Sequence, residues 1–192
     1  MIEQGAIKDL PPYSLSPTMT QKEQLEPARA QNLFPAFPVA LVTAGENVAS
    51  YGLIHIFSFK PPLIGVGVRR SRYTYEMIEK TGDFGVNLPG KNLVDAVNLC
   101  GSKSGRDLDK FEAAGLTKMK ASQISSVLIE DCPINIECKV YKKMEMPEAS
   151  HDWFLGEVVQ VHMDEGADAD DAILYWNKKY TLVGEKVGDR KA

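Results

Sequence analysis

From Val39 onward the chain alternates short apolar runs with turn residues, the pattern of strands joined by tight connections. The runs are Val39 to Ala44, Val48 to Phe57, Leu63 to Val68, Phe84 to Leu88, Ile134 to Tyr141 and Phe154 to Met163. Ile134 to Tyr141 is the most regular. Ile134, Ile136, Cys138 and Val140 share one face and polar residues the other, as a strand with a single buried face requires. Gly45-Glu46-Asn47 joins the first two runs as a tight hairpin. A second hairpin around Phe59-Lys60 would set Ser50 opposite Arg69 or Arg70 and Asn47 opposite Arg72, with Pro61-Pro62 able to shift that register by a residue or two.

Three segments carry helical spacing instead. Thr74 to Lys80 has Glu76 near its start, Lys80 near its end and Gly82 just beyond, the polarity of a helix. In Asn92 to Cys100, Leu93, Val94, Val97 and Cys100 share a face and Gly101 is placed to terminate. A short helix, Asp107 to Ala114, ends at Gly115. Many strands with few helices predict a mainly β fold, an antiparallel barrel that is closed or nearly so, over a parallel sheet with crossover helices. Residues 1–32 read as a Pro-rich arm and 33–192 as one domain. Six prolines (Pro11, Pro12, Pro17, Pro27, Pro35 and Pro38) fall before Val39, a density that breaks helices and ladders and leaves at most one short helix near Thr20 to Ala30.

A length of 192 residues, 44% hydrophobic and 25% charged, fits this single-domain reading. The formal charge of −4 gives no general grip on nucleic acid or anionic lipid, so any anion site must be local. No apolar run is long enough to span a bilayer, and Glu3, Lys8, Asp9 and Pro11 interrupt any signal-peptide core. The expectation is a cytoplasmic protein with no nucleic-acid or membrane partner. Cys100, Cys132 and Cys138 cannot all pair and form no C-x-x-C, and His55, His151 and His162 lack metal spacing, so neither a structural disulfide nor a metal is expected.

Arg69, Arg70 and Arg72 flank Ser71 and precede Thr74, just ahead of a helix start. Such a cluster either solvates a surface turn or holds an anion, because a helix N-terminus, hydroxyls and guanidinium groups are the donors that phosphate accepts from. A second polar cluster, Gly101 to Phe111, offers Ser104, Arg106 and Lys110 from a loop before a short helix, and reads equally well as a capped, solvated loop. Two near matches fail. Gly85 to Lys91 has P-loop spacing, but Asn92 stands where Ser or Thr is required. Gly65-Val66-Gly67 lacks the third glycine of a dinucleotide fingerprint, Arg70 taking its place, and lies within a strand. His151 is the best functional histidine, since Asp152 and Trp153 follow it at a turn-to-strand boundary. No serine or cysteine sits in a nucleophile motif.

Taken in order, Asn47-Val48-Ala49-Ser50, Pro61-Pro62, Arg69-Arg70-Ser71-Arg72-Tyr73-Thr74-Tyr75, Val86-Asn87, Ser104-Gly105-Arg106-Asp107-Leu108-Asp109-Lys110-Phe111, Ile136-Glu137-Cys138 and His151-Asp152-Trp153-Phe154-Leu155-Gly156-Glu157 resemble the flavoredoxins of the flavin reductase-like family. The resemblance spans roughly residues 33 to 188. Its most specific parts are the S-G-R-D-x-D-K-F and H-x-x-F-x-G-E segments. It implies an FMN-binding split barrel, usually a homodimer with the flavin near the subunit interface. By motif, Asn47, Ser50 and Thr74 would contact FMN, and the bend through Arg69, Arg70, Ser71, Arg72 and Thr74 would hold its phosphate. Asn87, Ser104, Arg106, Lys110 and His151 would complete the site. Leu53 and Thr181 depart from positions where aromatics can occur in the family; Tyr51, Tyr180 or Trp176 are the candidates to replace them in stacking.

The function so implied is an FMN-dependent oxidoreductase, in which the ring carries electrons or hydride and His151 is the side chain best placed to assist. The donor would be NAD(P)H, making a flavin reductase, or a small redox protein, making an electron carrier. The alternatives are a barrel that stores or senses FMN without turnover, and a pyridoxamine-phosphate oxidase-like enzyme.

Overall fold

The computed structural model describes residues 22–188. Its strands are β1 (Phe37–Pro38), β2 (Ala40–Ala44), β3 (Asn47–Tyr51), β4 (Ile54–Phe59), β5 (Pro62–Val68), β6 (Asp83–Leu88), β7 (Lys118–Met119), β8 (Leu128–Ile129), β9 (Ile134–Met144), β10 (Asp152–Met163), β11 (Leu174–Trp176) and β12 (Lys179–Thr181). The helices are α1 (Ala30–Leu33), α2 (Tyr73–Thr81), α3 (Val94–Ser102) and α4 (Lys110–Ala114).

Seven strands form one antiparallel sheet in the order β3-β2-β6-β9-β10-β5-β4. β3 and β4 are consecutive in the chain yet occupy opposite edges, and only Gly52 and Leu53 join them. A link that short spans at most about 11 Å, so the sheet must curl until its edges nearly meet. The result is a barrel left unpaired between β3 and β4, a split barrel.

That closure corrects the expectation of one strand from Val48 to Phe57. The run breaks at Gly52, where a Cβ would lie 2.5 Å from Phe37 Cε2. Only glycine lets the Phe37 ring lie against that backbone while the chain changes edge. Ser50 therefore pairs with Leu41, and Asn47 with Ala44, in place of the arginines across the second hairpin. The Gly45-Glu46 hairpin forms as expected, with Gly45 at φ +55°.

β2 is buried on both faces, which explains its unbroken apolar run. Ala40, Val42 and Ala44 join Val66, Val68, Phe84, Cys138 and Phe154 inside the barrel, with Tyr75 and Ile78 of α2 packed among them. Leu41 faces the other way, into a second cluster with Val48, with Val97 and Cys100 of α3 and with Phe111 of α4. The cysteines are buried and free, and burial raises their thiols, Cys100 to about 11 and Cys138 to about 12.

The expected single buried face of β9 is also corrected. Asn135 and Glu137, on the polar side, are buried too. Glu137 Oε1 accepts from Ser122 N at 2.8 Å, from Ser122 Oγ at 2.9 Å and contacts His162 Nε2 at 2.6 Å, while Oε2 accepts from Gln123 N at 2.6 Å and Ile124 N at 3.1 Å. Burial alone would raise this carboxyl, but the His162 contact and the Ser122 and Gln123 N–H groups outweigh it and hold it at about 2. Asp83 on β6 grips the next residues in the same way, accepting from Ser125 N at 2.7 Å and Ser126 N at 3.1 Å. Two strand carboxylates thus fasten an irregular segment over the sheet.

Helix boundaries shift for local reasons. α4 begins at Lys110, not Asp107, because the Asp109 carboxylate caps it, accepting from Phe111 N at 2.8 Å and Glu112 N at 3.3 Å. α3 continues through Gly101 to Ser102. The described residues divide into two units, 22–34 and Pro35 onward. In the first a 3-10 turn, Pro27–Arg29, leads into α1, later than the expected Thr20 to Ala30. Pro27 suits a first helical turn, and Phe34 is extended before Pro35. Residues 1–21 of the arm lie outside the described residues.

Candidate functional site

β5 ends at Val68, and the bond from Arg72 N to Arg69 O, 3.0 Å, closes a bend from which α2 starts with Arg72 as its extended N-cap. Val68 pairs with Asp152 of β10, so the His151-Asp152 boundary lies beside this bend. The three arginines then divide. Arg70 turns to Asp152, donating from Nε to Oδ2 at 2.8 Å with Nη2 against Oδ1. Asp152 also accepts from Met146 N and Tyr75 Oη, each at 2.8 Å. The Met146 N–H, with Arg70 and Tyr75, holds its carboxyl at about 2. Arg69 and Arg72 face a cavity instead.

This cavity has a volume of about 340 Å³, within the range of small-molecule sites. The bend and α2 form one side, β3 with Gly52 and Leu53 another, and the end of α3 with the 103–106 loop a third. Arg69, Arg72, Lys103, Arg106 and Lys110 line it, with no Asp or Glu among the lining residues. In a chain of net charge −4 that is a local concentration of positive potential, suited to an anion. Ser50, Ser71, Thr74 and Ser104 add hydroxyls; Ala49, Leu53 and Tyr51 add apolar and aromatic surface.

The polar groups differ in how far the protein already satisfies them. Asn47 Nδ2 donates to Thr74 Oγ1 at 3.0 Å, but Asn47 Oδ1 is buried with no hydrogen-bond partner among the described residues. Gly105 passes so close to that oxygen that a Cβ there would collide with it. Lys110 Nζ donates to Cys100 O at 3.1 Å and Lys103 O at 3.3 Å, capping the end of α3 with a cation. Burial lowers its pKa, and nearby Arg72 adds to the effect. Arg106 donates to Ser71 O at 3.3 Å, pairs with Glu76 and lies over the Tyr73 ring at 5.3 Å, tying the 103–106 loop to the bend. The Arg72 guanidinium has no hydrogen-bond partner among the described residues. Arg69 Nε donates to His151 Nε2 at 3.3 Å, and His151 Nδ1 lies 2.7 Å from Ser150 Oγ. Burial and the positive charges of Arg69 and Arg72 lower the His151 pKa, so the ring is a neutral acceptor.

Of the residues singled out in the sequence, Asn47, Ser50, Arg69, Ser71, Arg72, Thr74, Ser104, Arg106, Lys110 and His151 meet around this cavity. Arg70 and Asn87 do not line it. Asn87 donates from Nδ2 to Leu41 O at 2.7 Å, and its Oδ1 accepts from Ile129 N at 3.1 Å and Asn135 Nδ2 at 2.9 Å, a structural role in the polar layer over the sheet. Among the stacking candidates Tyr51 lines the cavity, whereas Tyr180 and Trp176 do not. Sequence reasoning missed Lys103 and Gly67, which line the cavity, and Tyr75, which steadies Asp152; none carries a signal apart from its neighbours. Among the described residues no group of three or more His, Cys, Asp or Glu is placed to hold a metal ion, and no helix is long and apolar enough to cross a membrane.

The Flavin reductase like domain matches residues 34–184 of this chain. An uncharacterized protein of Archaeoglobus fulgidus is 33% identical over 146 residues, covering 74% of this chain and 81% of its own. The crystal structure of flavoredoxin from Methanosarcina acetivorans is similar at 27% identity and a TM-score of 0.77, covering 88% of this chain and 95% of that one. A Shewanella frigidimarina structure with a split barrel domain shares the fold at 20% identity and a TM-score of 0.77, over 88% of this chain and 94% of its own.

Proposed function

This chain belongs to the flavin reductase-like family, and from that premise we propose that it is an FMN-dependent oxidoreductase working through the basic cavity. The observation that carries the reading is the cavity's donor set: five cations, no carboxylate, the hydroxyls of Ser50, Ser71, Thr74 and Ser104, and one buried acceptor, Asn47 Oδ1, without a donor among the described residues. FMN matches that inventory. It brings a phosphate dianion, a chain of hydroxyls and a planar ring whose edge carries both an N–H and carbonyl oxygens.

Arg69, Ser71, Arg72 and Thr74, at the start of α2, are the groups to hold the phosphate. Asn47 would accept a hydrogen bond from the cofactor, with Thr74 fixing its carboxamide. Lys110 keeps the end of α3 and the 103–106 loop in place and lines the cavity, where its remaining N–H would be available to the cofactor. Tyr51 and Leu53 supply apolar surface against the ring. The flavin supplies the redox chemistry, accepting and releasing electrons or hydride. His151, oriented by Arg69 and Ser150, would accept a hydrogen bond or a proton at Nε2, the atom that Arg69 occupies in this structure, if Arg69 served the phosphate instead. A homodimer belongs to the proposal: edge strand β4 leaves Ile56, Phe57 and Phe59 exposed beside cavity-lining Leu53, apolar surface suited to a second copy of the chain.

Anaerobic mixing of the FMN-loaded protein with NADH or NADPH tests the activity. Bleaching of the flavin band by either nucleotide makes it a reductase; bleaching only by a reduced protein donor makes it an electron carrier. No bleaching by any donor defeats the oxidoreductase reading. Because the cofactor carries the chemistry, His151→Ala is expected to slow bleaching by no more than about tenfold, against the 100-fold or more lost with an obligatory general acid.

A further inference from the structure

We propose that the aromatic pocket formed by Phe37, Tyr175 and Tyr180 is a second binding site, for a small uncharged planar molecule with a conjugated carbonyl, set beside the flavin cavity. As an assignment of substrate class it rests on the flavin reading above; as a binding site it stands on its own geometry.

The pocket has a volume of about 190 Å³ and is lined by Phe37, Val39, Ser50, Gly52, Tyr175 and Tyr180. That is below the usual range for a drug-sized ligand and too small for a second flavin, but it suits one or two fused rings. No lining residue is charged, in contrast to the basic cavity next to it, so the two sites select different chemistries. They share a wall: Ser50 and Gly52 line both. An occupant of the pocket therefore has Ser50 and Gly52 as neighbours in common with an occupant of the cavity.

Backbone pairing sets the rings in a row. In the three-stranded sheet β1-β11-β12, Phe37 is paired with Tyr175 and Tyr175 with Tyr180. The Phe37 and Tyr175 centroids are 5.6 Å apart and tilted by 46°; those of Tyr175 and Tyr180 are 5.7 Å apart at 63°. Tilted rings at this spacing hold one another while leaving faces for a flat guest. Tyr180 is pinned from outside the sheet, its hydroxyl donating to Asn98 Oδ1 on α3 at 3.0 Å. Phe37 is pinned by Gly52, whose missing Cβ makes room for the ring edge. Tyr175 is the phenol of this pocket whose hydroxyl has no hydrogen-bond partner among the described residues. It is the donor that a carbonyl on the guest would take.

Coumarin, a planar, uncharged bicyclic lactone, serves as the probe. Titrated calorimetrically into the full chain carrying FMN, it is expected to bind at one molecule per chain. Tyr175→Ala removes the central ring and Tyr175→Trp fills the pocket; each is expected to weaken coumarin about tenfold or more while the chain still binds one FMN, Tyr175→Ala alone melting lower because its ring packs on the core. Equal coumarin affinity in parent and both variants overturns the proposal, as does an FMN-loaded parent that takes up no coumarin. A chain that binds coumarin through Tyr175 but no FMN upholds the pocket and overturns the flavin reading instead.

Discussion

Asn47 Nδ2 donates to Thr74 Oγ1 across 3.0 Å while Asn47 Oδ1 lies buried with no donor among the described residues. The bond ties the first residue of β3 to the first turn of α2, the two elements that frame the basic cavity. A group that holds the frame together is itself half satisfied, its second polar atom packed against Gly105 at the wall of the cavity that Asn47 lines.

An unpartnered buried acceptor costs about 1 to 3 kcal/mol, so Asn47→Ala removes a cost in the flavin-free protein and a contact in the loaded one. The expected outcome is a nearly unchanged melting temperature without flavin and a 10- to 100-fold weaker FMN affinity, roughly the loss of one good hydrogen bond to the ligand. Quenching of FMN fluorescence gives the affinity. A variant that melts well below the parent yet binds FMN as tightly would show Asn47 to be structural only.

Arg72 and Arg70, two residues apart, are expected to behave oppositely. Arg72, without a hydrogen-bond partner among the described residues, faces the cavity; Arg72→Gln should weaken FMN about tenfold, reduce the salt dependence of binding and leave the melting temperature alone. Arg70 pairs with the buried carboxylate of Asp152, so Arg70→Gln should lower the melting temperature and leave FMN affinity within about threefold of the parent. Thermal melts and FMN titrations on the two variants decide; the reverse assignment of effects would contradict the site.

Acid sensitivity follows from two depressed carboxyls. Glu137 stands at about 2 in the folded chain against an ordinary 4.5, and Asp152 at about 2 against 3.8. A folded pKa below the unfolded one means the unfolded chain binds the proton first. The stability they contribute is therefore complete above about pH 5, declines as pH falls through the unfolded values and is lost by about pH 2. Urea unfolding followed from pH 6 to 2 should show that slope, and Glu137→Gln should flatten it by up to about one proton. An unchanged slope would mean the Ser122 to Ile124 segment does not depend on the Glu137 charge.

The sequence made the barrel legible where local chemistry and tertiary structure agree. β2 is apolar throughout because both of its faces are covered, and Gly45, Gly82 and Gly115 mark their turns because each takes a positive φ. It did not reveal the break at Gly52, since the apolar run continues across it and only closure of the sheet requires the chain to change edge. Nor did alternation reveal that Glu137 is buried: its face is covered by residues 122–129, a segment with no periodicity of its own. In the site, three neighbouring arginines carry the same local signal. Asp152, brought alongside by the pairing of β10 with β5, draws Arg70 out of the cavity and leaves Arg69 and Arg72 in it. Strands as short as β1, β11 and β12 are below the length at which any periodicity shows, which is why the small aromatic sheet has no sequence signature.

The central claim is that the cavity between the Arg69 to Thr74 bend and Lys110 holds FMN. Absorption spectroscopy of the purified chain, before and after incubation with FMN and removal of the unbound excess, tests it most directly. The account predicts a retained flavin band at one FMN per chain, lost on Arg72→Gln combined with Asn47→Ala. A chain that stays colourless after incubation, or a double variant that retains the full band, would contradict it.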